Sequence, residues 1–228
     1  MNKKGIIKTI VILLSLCSSF FVFAESFEDK PTMKNSAEKK QFNLSEPENC
    51  VVEIDGKIYE FVIMKYNPPY ISPSNLLKSK ADENLLTPEG TNLAMWSSIN
   101  RDKDWYLSLH DEGLQKYLID TDQKSKGRLL EEANKDKPLR NPLKEGTYEE
   151  FLCKAELSFN NKEYAIIQSK RFKDGMGFPG PTFTVYVKQN NKWLRTDDLK
   201  NHPIKRLVGL KTFEEIKTIC GTGRWAEE

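Results

Sequence analysis

Histidine is nearly missing from this chain: His110 and His202 are its whole supply. They lie far apart, and no H-x-x-x-H or C-x-x-C spacing accompanies them, so a histidine- or thiolate-built metal centre is not expected. Clustered positive charge is missing too. The Lys runs Lys39-Lys40, Lys124 to Arg128 and Lys135 to Arg140 are interleaved with acids or fall in loop-like sequence. A nucleic-acid binder relies on a concentrated basic surplus to neutralise phosphates, and none is present. Uninterrupted apolar runs are short as well. The longest, Thr9 to Ala24, contains Ser15, Cys17, Ser18 and Ser19, and falls short of the roughly 20 apolar residues a spanning helix wants. There is no internal repeat.

That apolar run has a different reading. Lys3, Lys4 and Lys8 precede it, Val22-Phe23-Ala24 closes it with a small-ended triplet, and Glu25 to Lys30 is charged. This is the three-part layout of a secretory signal peptide, with cleavage expected after Ala24. Leu14-Ser15-Leu16-Cys17 resembles a lipobox, but the bulky Leu16 stands where a small residue belongs. A lipoprotein anchored at Cys17 is therefore the lesser expectation. Three of the 35 basic residues and none of the 33 acidic ones fall in residues 1–24, so cleavage leaves 32 against 33, a net charge of −1. The expected location is periplasmic or secreted, with no stable membrane span after cleavage.

Beyond residue 24 the chain is long enough for one domain and a tail. Residues 25–49 are rich in Glu, Lys, Asn, Ser and Pro, with bulk from Phe27, Met33, Phe42 and Leu44. Such a composition buries too little apolar surface to offset chain entropy, so a flexible linker is expected there. Residues 50–228 form the expected single domain. It opens with a hairpin, Val51–Ile54 and Lys57–Met64 around Asp55-Gly56, a pair suited to the positive φ of a type I′ turn. Pro68-Pro69 is expected to stop the second strand. Ser72-Pro73 and Thr87-Pro88-Glu89 each place a capping hydroxyl before a first-turn proline.

From Thr87 to Leu118 the period is helical. Leu93, Trp96 and Ile99 form one stripe, Asn100-Arg101-Asp102 suggests a break with a new cap, and Trp105, Leu109, Leu114 and Leu118 continue it. A weaker helix is expected from Lys126 to Asn134, ended by Pro138 and Pro142. From Thr147 the period becomes two. Phe151, Cys153, Ala155, Leu157 and Phe159 alternate with polar residues, Asn160-Asn161 turns the chain, and Glu163–Phe172 returns. A loop from Lys173 to Pro181 leads to Thr182–Lys188, and Asn190-Asn191 turns it into Trp193-Leu194-Arg195. Thr212-Phe213-Glu214-Glu215 is a capping box opening a short last helix. Helices followed by an antiparallel meander mean an α+β fold, with the helices expected on one face of a curved sheet.

The phrases Thr87-Pro88-Glu89-Gly90, Trp96-Ser97-Ser98-Ile99-Asn100-Arg101-Asp102 and Trp105-Tyr106-Leu107-Ser108-Leu109-His110-Asp111-Glu112 resemble the opening of NTF2-like (SnoaL-like) cone domains. The resemblance covers roughly residues 87–200. The N-terminal hairpin, the last helix and the lysine-rich middle depart from that pattern. It implies a cone-shaped sheet with a pocket. In enzymes of the family an Asp or His projects into the cone for proton transfer, which makes Asp102, Asp104 and Asp111 the acids near the right place. Each is equally explained as a helix cap or end residue. Phe151, Ala155, Leu157, Phe183 and Val185, the identifiable inner-face positions, are apolar.

Gly175-Met176-Gly177-Phe178-Pro179-Gly180 matches G-x-G-x-x-G, but a dinucleotide site needs a helix to follow. Pro179 and Pro181 and the strand after them rule that out. The segment is expected to be a mobile hairpin loop whose apolar tips, Met176 and Phe178, are candidate contact residues. His110-Asp111 cannot pair as a catalytic base, since adjacent helical residues point about 100° apart. A surface or C-cap histidine is expected at His110, and a loop histidine at His202. Trp96, Trp105, Tyr106 and Trp193 read as core, with Trp96 also a candidate cavity wall. Among Cys50, Cys153 and Cys220 one disulfide is expected, and three pairings can form it. Cys153 sits on an apolar face and Cys50 and Cys220 bracket the domain, whose ends are often close, so Cys50–Cys220 is the expected bridge.

The function expected from these residues is that of an exported, non-catalytic binding module for a protein partner or a small apolar ligand, with no cofactor, metal or nucleic acid. The alternative is a small NTF2-like enzyme using the cone for proton transfer or hydrolysis.

Overall fold

The computed structural model describes residues 42–99, 101–124 and 146–226. The expected signal segment, most of the linker and the Lys126–Asn134 helix lie outside the described residues. Among the described residues the sheet has seven strands: β1 (Glu48–Ile54), β2 (Lys57–Ser72), β3 (Tyr148–Phe159), β4 (Lys162–Lys173), β5 (Met176–Gly177), β6 (Thr182–Gln189) and β7 (Lys192–Arg195). All pairings are antiparallel in the order β1-β2-β3-β4-β6-β7, with β5 folded back onto the end of β4. The described helices are α1 (Pro88–Ser98), α2 (Lys103–Ser108), α3 (Glu112–Lys124), α4 (Pro203–Leu210) and α5 (Phe213–Thr222). The α+β class is as expected, and no described helix is long and apolar enough to cross a membrane.

The turns follow local chemistry. Asp55 and Gly56, Asn160 and Asn161, and Asn190 and Asn191 all take positive φ, the conformation that two-residue hairpin turns require. Proline does not end β2 as expected. The strand runs on to Ser72, and its pairing with β3 slips between Lys65 and Tyr70, so that Pro68 and Pro69 sit exposed in an irregularity that asks no ladder bond of them. Nor does Ser72 cap a helix. It ends β2, buried, and donates a 2.6 Å hydrogen bond to Asn92 Oδ1.

The helices lie on both faces of the sheet, which corrects the one-face expectation. On one face α4 and α5 bring Ile204, Leu207, Val208, Phe213 and Ile216 against Val52, Ala155, Leu157, Ile166, Val185 and Val187. On the other, Tyr66, Phe151, Ala165, Ile167 and Tyr186 form a second cluster to which α1 bonds through Tyr66 and Tyr186, and α1 and α2 share a small core of Ala94, Met95, Trp105, Tyr106 and Leu109. The middle of β4, Tyr164–Ser169, is consequently buried on both sides. Sequence reading missed α4 because its cap is unusual. His202 supplies the N-cap, its Nδ1 accepting from Ile204 N at 3.3 Å, and Pro203 takes the first position. Phe151 was expected beside Ala155 and Leu157, but a register slip between Phe151 and Cys153 turns it to the α1 side.

The fold also begins earlier than composition implied. Phe42 is buried against Tyr70, Leu44 bridges to Tyr66, and Ser45 N bonds Lys65 O, so residues 42–49 belong to the domain and not to the linker. The Cys50–Cys220 disulfide is formed, with a Cα–Cα distance of 5.1 Å, and ties α5 to β1. Cys153 is free and buried, its thiol pushed up to about 12 by desolvation. Chain segments also close the sheet's sides. Glu53 N bonds Gly223 O and Trp225 N bonds Glu53 O beside β1, while Trp193 N bonds Leu85 O and Arg195 N bonds Leu109 O beside β7.

Candidate functional site

Helix α1 is seated by polar groups. Thr87 caps it by accepting from Gly90 N at 3.0 Å, with Pro88 at the first position. Its buried residues include Glu89, Thr91, Asn92, Ala94, Met95 and Ser98, whereas Leu93 and Trp96 are half-buried and Ile99 is exposed. The expected apolar stripe is therefore not the face that meets the sheet. Thr91 Oγ1 donates to Trp193 O at 2.6 Å, and Asn92 Nδ2 donates to the Tyr186 hydroxyl at 3.3 Å. Glu89 accepts from the Tyr66 hydroxyl and lies 3.2 Å from Lys154 Nζ, which also reaches Glu156 Oε1 at 3.2 Å. Glu89 and Lys154 are both completely enclosed. A buried carboxylate in the first turn of a helix is favoured by the backbone dipole, and its ammonium partner offsets the desolvation of each.

Because the half-buried flank of α1 faces sideways, a cavity of about 520 Å³ remains there. Asn92, Met95, Trp96 and Ile99 of the α1 segment and Tyr106 of α2 line one side. The opposite side consists of Thr147, Glu149, Arg171, Lys173, Phe178, Thr184 and Arg195. Two of the three contact residues singled out in the sequence, Trp96 and Phe178, thus meet in one place. Met176 does not join them. It is paired to Lys173 in the short β5 hairpin and is 72% exposed. Asp174 and Gly175 make the turn of that hairpin with positive φ.

The cavity's charge is uneven. Arg171 is taken up by Glu149, with Nε at 2.9 Å and a terminal nitrogen at 2.6 Å from the same carboxylate oxygen. Lys173 and Arg195 have no carboxylate at ion-pair distance among the described residues. These two cations were missed in the sequence because nothing local distinguishes them from other surface-strand bases. Only the pairing of β4 with β6 and β6 with β7 brings them to one wall.

The acid and histidine candidates lie elsewhere. Asp102 caps α2 by accepting from Trp105 N at 3.0 Å, and Asp104 is exposed. Asp111 is buried, accepting from Leu114 N at 2.8 Å and from the Thr196 hydroxyl, so it is held as the cap of α3. His110 is not at the surface but fully buried. Its Nδ1–H donates to Tyr106 O at 2.8 Å, its ring stands edge-to-face on Tyr106, and Nε2 has no hydrogen-bond partner among the described residues. Desolvation, with Arg195 adding to it, lowers its pKa to about 4, so the ring is neutral. None of Asp102, Asp104, His110 and Asp111 lines the cavity. Among the described residues no group of His, Cys, Asp and Glu is arranged to hold a metal ion.

Comparison with family models, with curated proteins and with solved structures finds no match to this chain. The chemistry of the site is accordingly read from its own residues.

Proposed function

We propose that this chain is an exported, non-catalytic binding module that captures a small ligand or a protein partner at the cavity between α1 and the β4–β5 end of the sheet. The observation that carries this reading is the convergence of Trp96 and Phe178 on one cavity, from elements distant in sequence. A cavity of this size that combines apolar side chains with converging polar groups is the form that small-molecule sites take. Export is supported by the layout of residues 1–24 and by the Cys50–Cys220 bridge, which suits an oxidising compartment. The intact mass of the protein from the cell envelope is expected to begin at Glu25, and a lipid-modified Cys17 would replace that reading.

The likeness to NTF2-like cone domains over residues 87–200 enters as part of the proposal. It is supported by the order of α1, α2 and α3 before the meander, while α4 and α5 on the opposite face lie outside that pattern. The test is capture from the native envelope. Phe178→Ser with Trp96→Ala should weaken it by about tenfold or more, since each buried anchor is worth on the order of 1–2 kcal/mol. Met176→Ser should matter only if the captured molecule is large enough to reach the β5 tip. Alanine at Asp104 or His110 should leave capture in place. If one of those abolishes an activity while the cavity double variant captures normally, the small-enzyme reading takes over.

A further inference from the structure

We infer that the cavity takes an amphipathic organic anion, an oxyanion head on an aliphatic or aromatic body, an inference that rests on the cavity being the binding site. The body is specified by Met95, Trp96, Ile99, Tyr106 and Phe178, which line it without offering a charged group. The head is specified by charge. Among the described residues the cavity's cations are Arg171, Lys173 and Arg195 and its one lining acid is Glu149, which Arg171 already neutralises with two of its nitrogens. That leaves Lys173 and Arg195, among the described residues, as positive groups on the same wall with no carboxylate at ion-pair distance.

Two further features point the same way. Asn92 is held at both ends, accepting from Ser72 and donating to Tyr186, so the neutral amide in the wall is already engaged within the protein. Arg195 is also fixed along its backbone on both sides. Its N–H bonds Leu109 O at 2.9 Å, its C=O accepts from Asp111 N at 2.9 Å, and β7 pairs it with Tyr186. A guanidinium on so constrained a stem loses little freedom on binding and presents donors in a planar fork that fits a carboxylate or a phosphate. A neutral apolar ligand would leave this fork and Lys173 without counter-charge inside a partly desolvated site. A cationic one would add repulsion.

The test is isothermal titration of the whole protein with decanoate, decyl phosphate, decanol and decylammonium, which share a body and differ in head. Decanoate or decyl phosphate should bind about tenfold or more tighter than decanol, and decylammonium should bind weakest, because a hydrogen bond to a charged group contributes more than a neutral one. Whichever of the two anions binds tighter identifies the head, as planar carboxylate or phosphate monoester. Arg195→Met should remove most of the anions' advantage over decanol. Lys173→Gln, at an exposed position that does not affect folding, should weaken the anions about two- to fivefold. Equal binding of decanol and the anions, unaffected by both substitutions, overturns the anion inference while leaving the binding module intact. Failure of all four, with envelope capture still lost on Phe178→Ser with Trp96→Ala, also overturns it and leaves a protein partner. Failure of all four with capture unaffected by that double variant overturns the binding site itself.

Discussion

Towards α4 and α5 the sheet presents Ala155, Leu157, Ile166, Val185 and Val187, and towards α1 it presents Lys154 and the hydroxyls of Tyr66 and Tyr186 beside Phe151, Ala165 and Ile167. The first side closes like an ordinary apolar core. Gln168 intrudes there, but its amide donates to Val208 O at 2.6 Å and Lys211 O at 2.9 Å, so it ties down the end of α4. The second side is held by directional contacts: Glu89 with Lys154 and Tyr66, Thr91 with Trp193, Asn92 with Ser72 and Tyr186. Apolar packing is non-directional and fills whatever space is available. Hydrogen bonds fix a helix at a chosen place and can hold it off the sheet along one flank. The cavity lies on the directional side, where α1 is positioned without being fully packed.

The largest test of this contrast is the covalent tie on the apolar side. Replacing Cys50 and Cys220 by serine should lower stability by up to about 5 kcal/mol in the chain-entropy model, given the long loop the bridge closes. Urea unfolding measures it, and a loss below about 1 kcal/mol would mean that the apolar side holds itself together without the bridge. Next comes Lys154→Met, which strands Glu89 in an enclosed site. It should cost about 3–5 kcal/mol, while the added change Glu89→Gln should recover a large part. No recovery would argue that the pair is not the unit that seats α1.

A smaller effect is expected from pH. The folded His110 pKa lies near 4, below the ordinary histidine value of 6.5. The unfolded chain therefore takes up the proton first as pH falls. The stability associated with neutral His110 is complete above about 6.5, is lost between there and about 4, and amounts to roughly 3 kcal/mol. Thermal melts of the protein and of His110→Gln should diverge across that window, and parallel curves would show that burial does not govern this ring. The smallest test exchanges a hydroxyl between the sides. Thr91→Val should cost about 1 kcal/mol for the lost bond to Trp193, and Val185→Thr about 1–3 kcal/mol for a hydroxyl placed in the apolar core. Similar small losses for both would erase the distinction between the faces.

The hairpins were readable because their turns are local: Asp55-Gly56, Asn160-Asn161 and Asn190-Asn191 specify positive φ without help from the rest of the chain. The caps Thr87, Asp102 and Thr212 were readable for the same reason. What failed depended on distant partners. The buried face of α1 is polar, and a hydrophobicity pattern selects Leu93, Trp96 and Ile99 instead of Glu89, Thr91 and Asn92. Helix α4 hid behind a histidine cap, and Phe151 changed sides through a slip that alternation cannot foresee. Of the site, Phe178 was visible as apolar bulk on a loop, and Trp96 as a stripe residue that a cone-shaped sheet would turn into a cavity wall. Arg195 and Lys173 were not, since a cation becomes significant only once its neighbours, and the carboxylates absent from among them, are known.

The closed sides of the sheet have a consequence for how this protein meets others of its kind. Strand β7 is bordered by the carbonyls of Leu85 and Leu109, and Glu53 of β1 by the segment ending at Trp225. A strand with vacant backbone donors and acceptors is a template on which a neighbouring chain can extend the sheet. At β7 that template is already filled by the protein's own loops. Growth by strand addition would first have to peel away the α2–α3 connection, and with it the seat of Arg195.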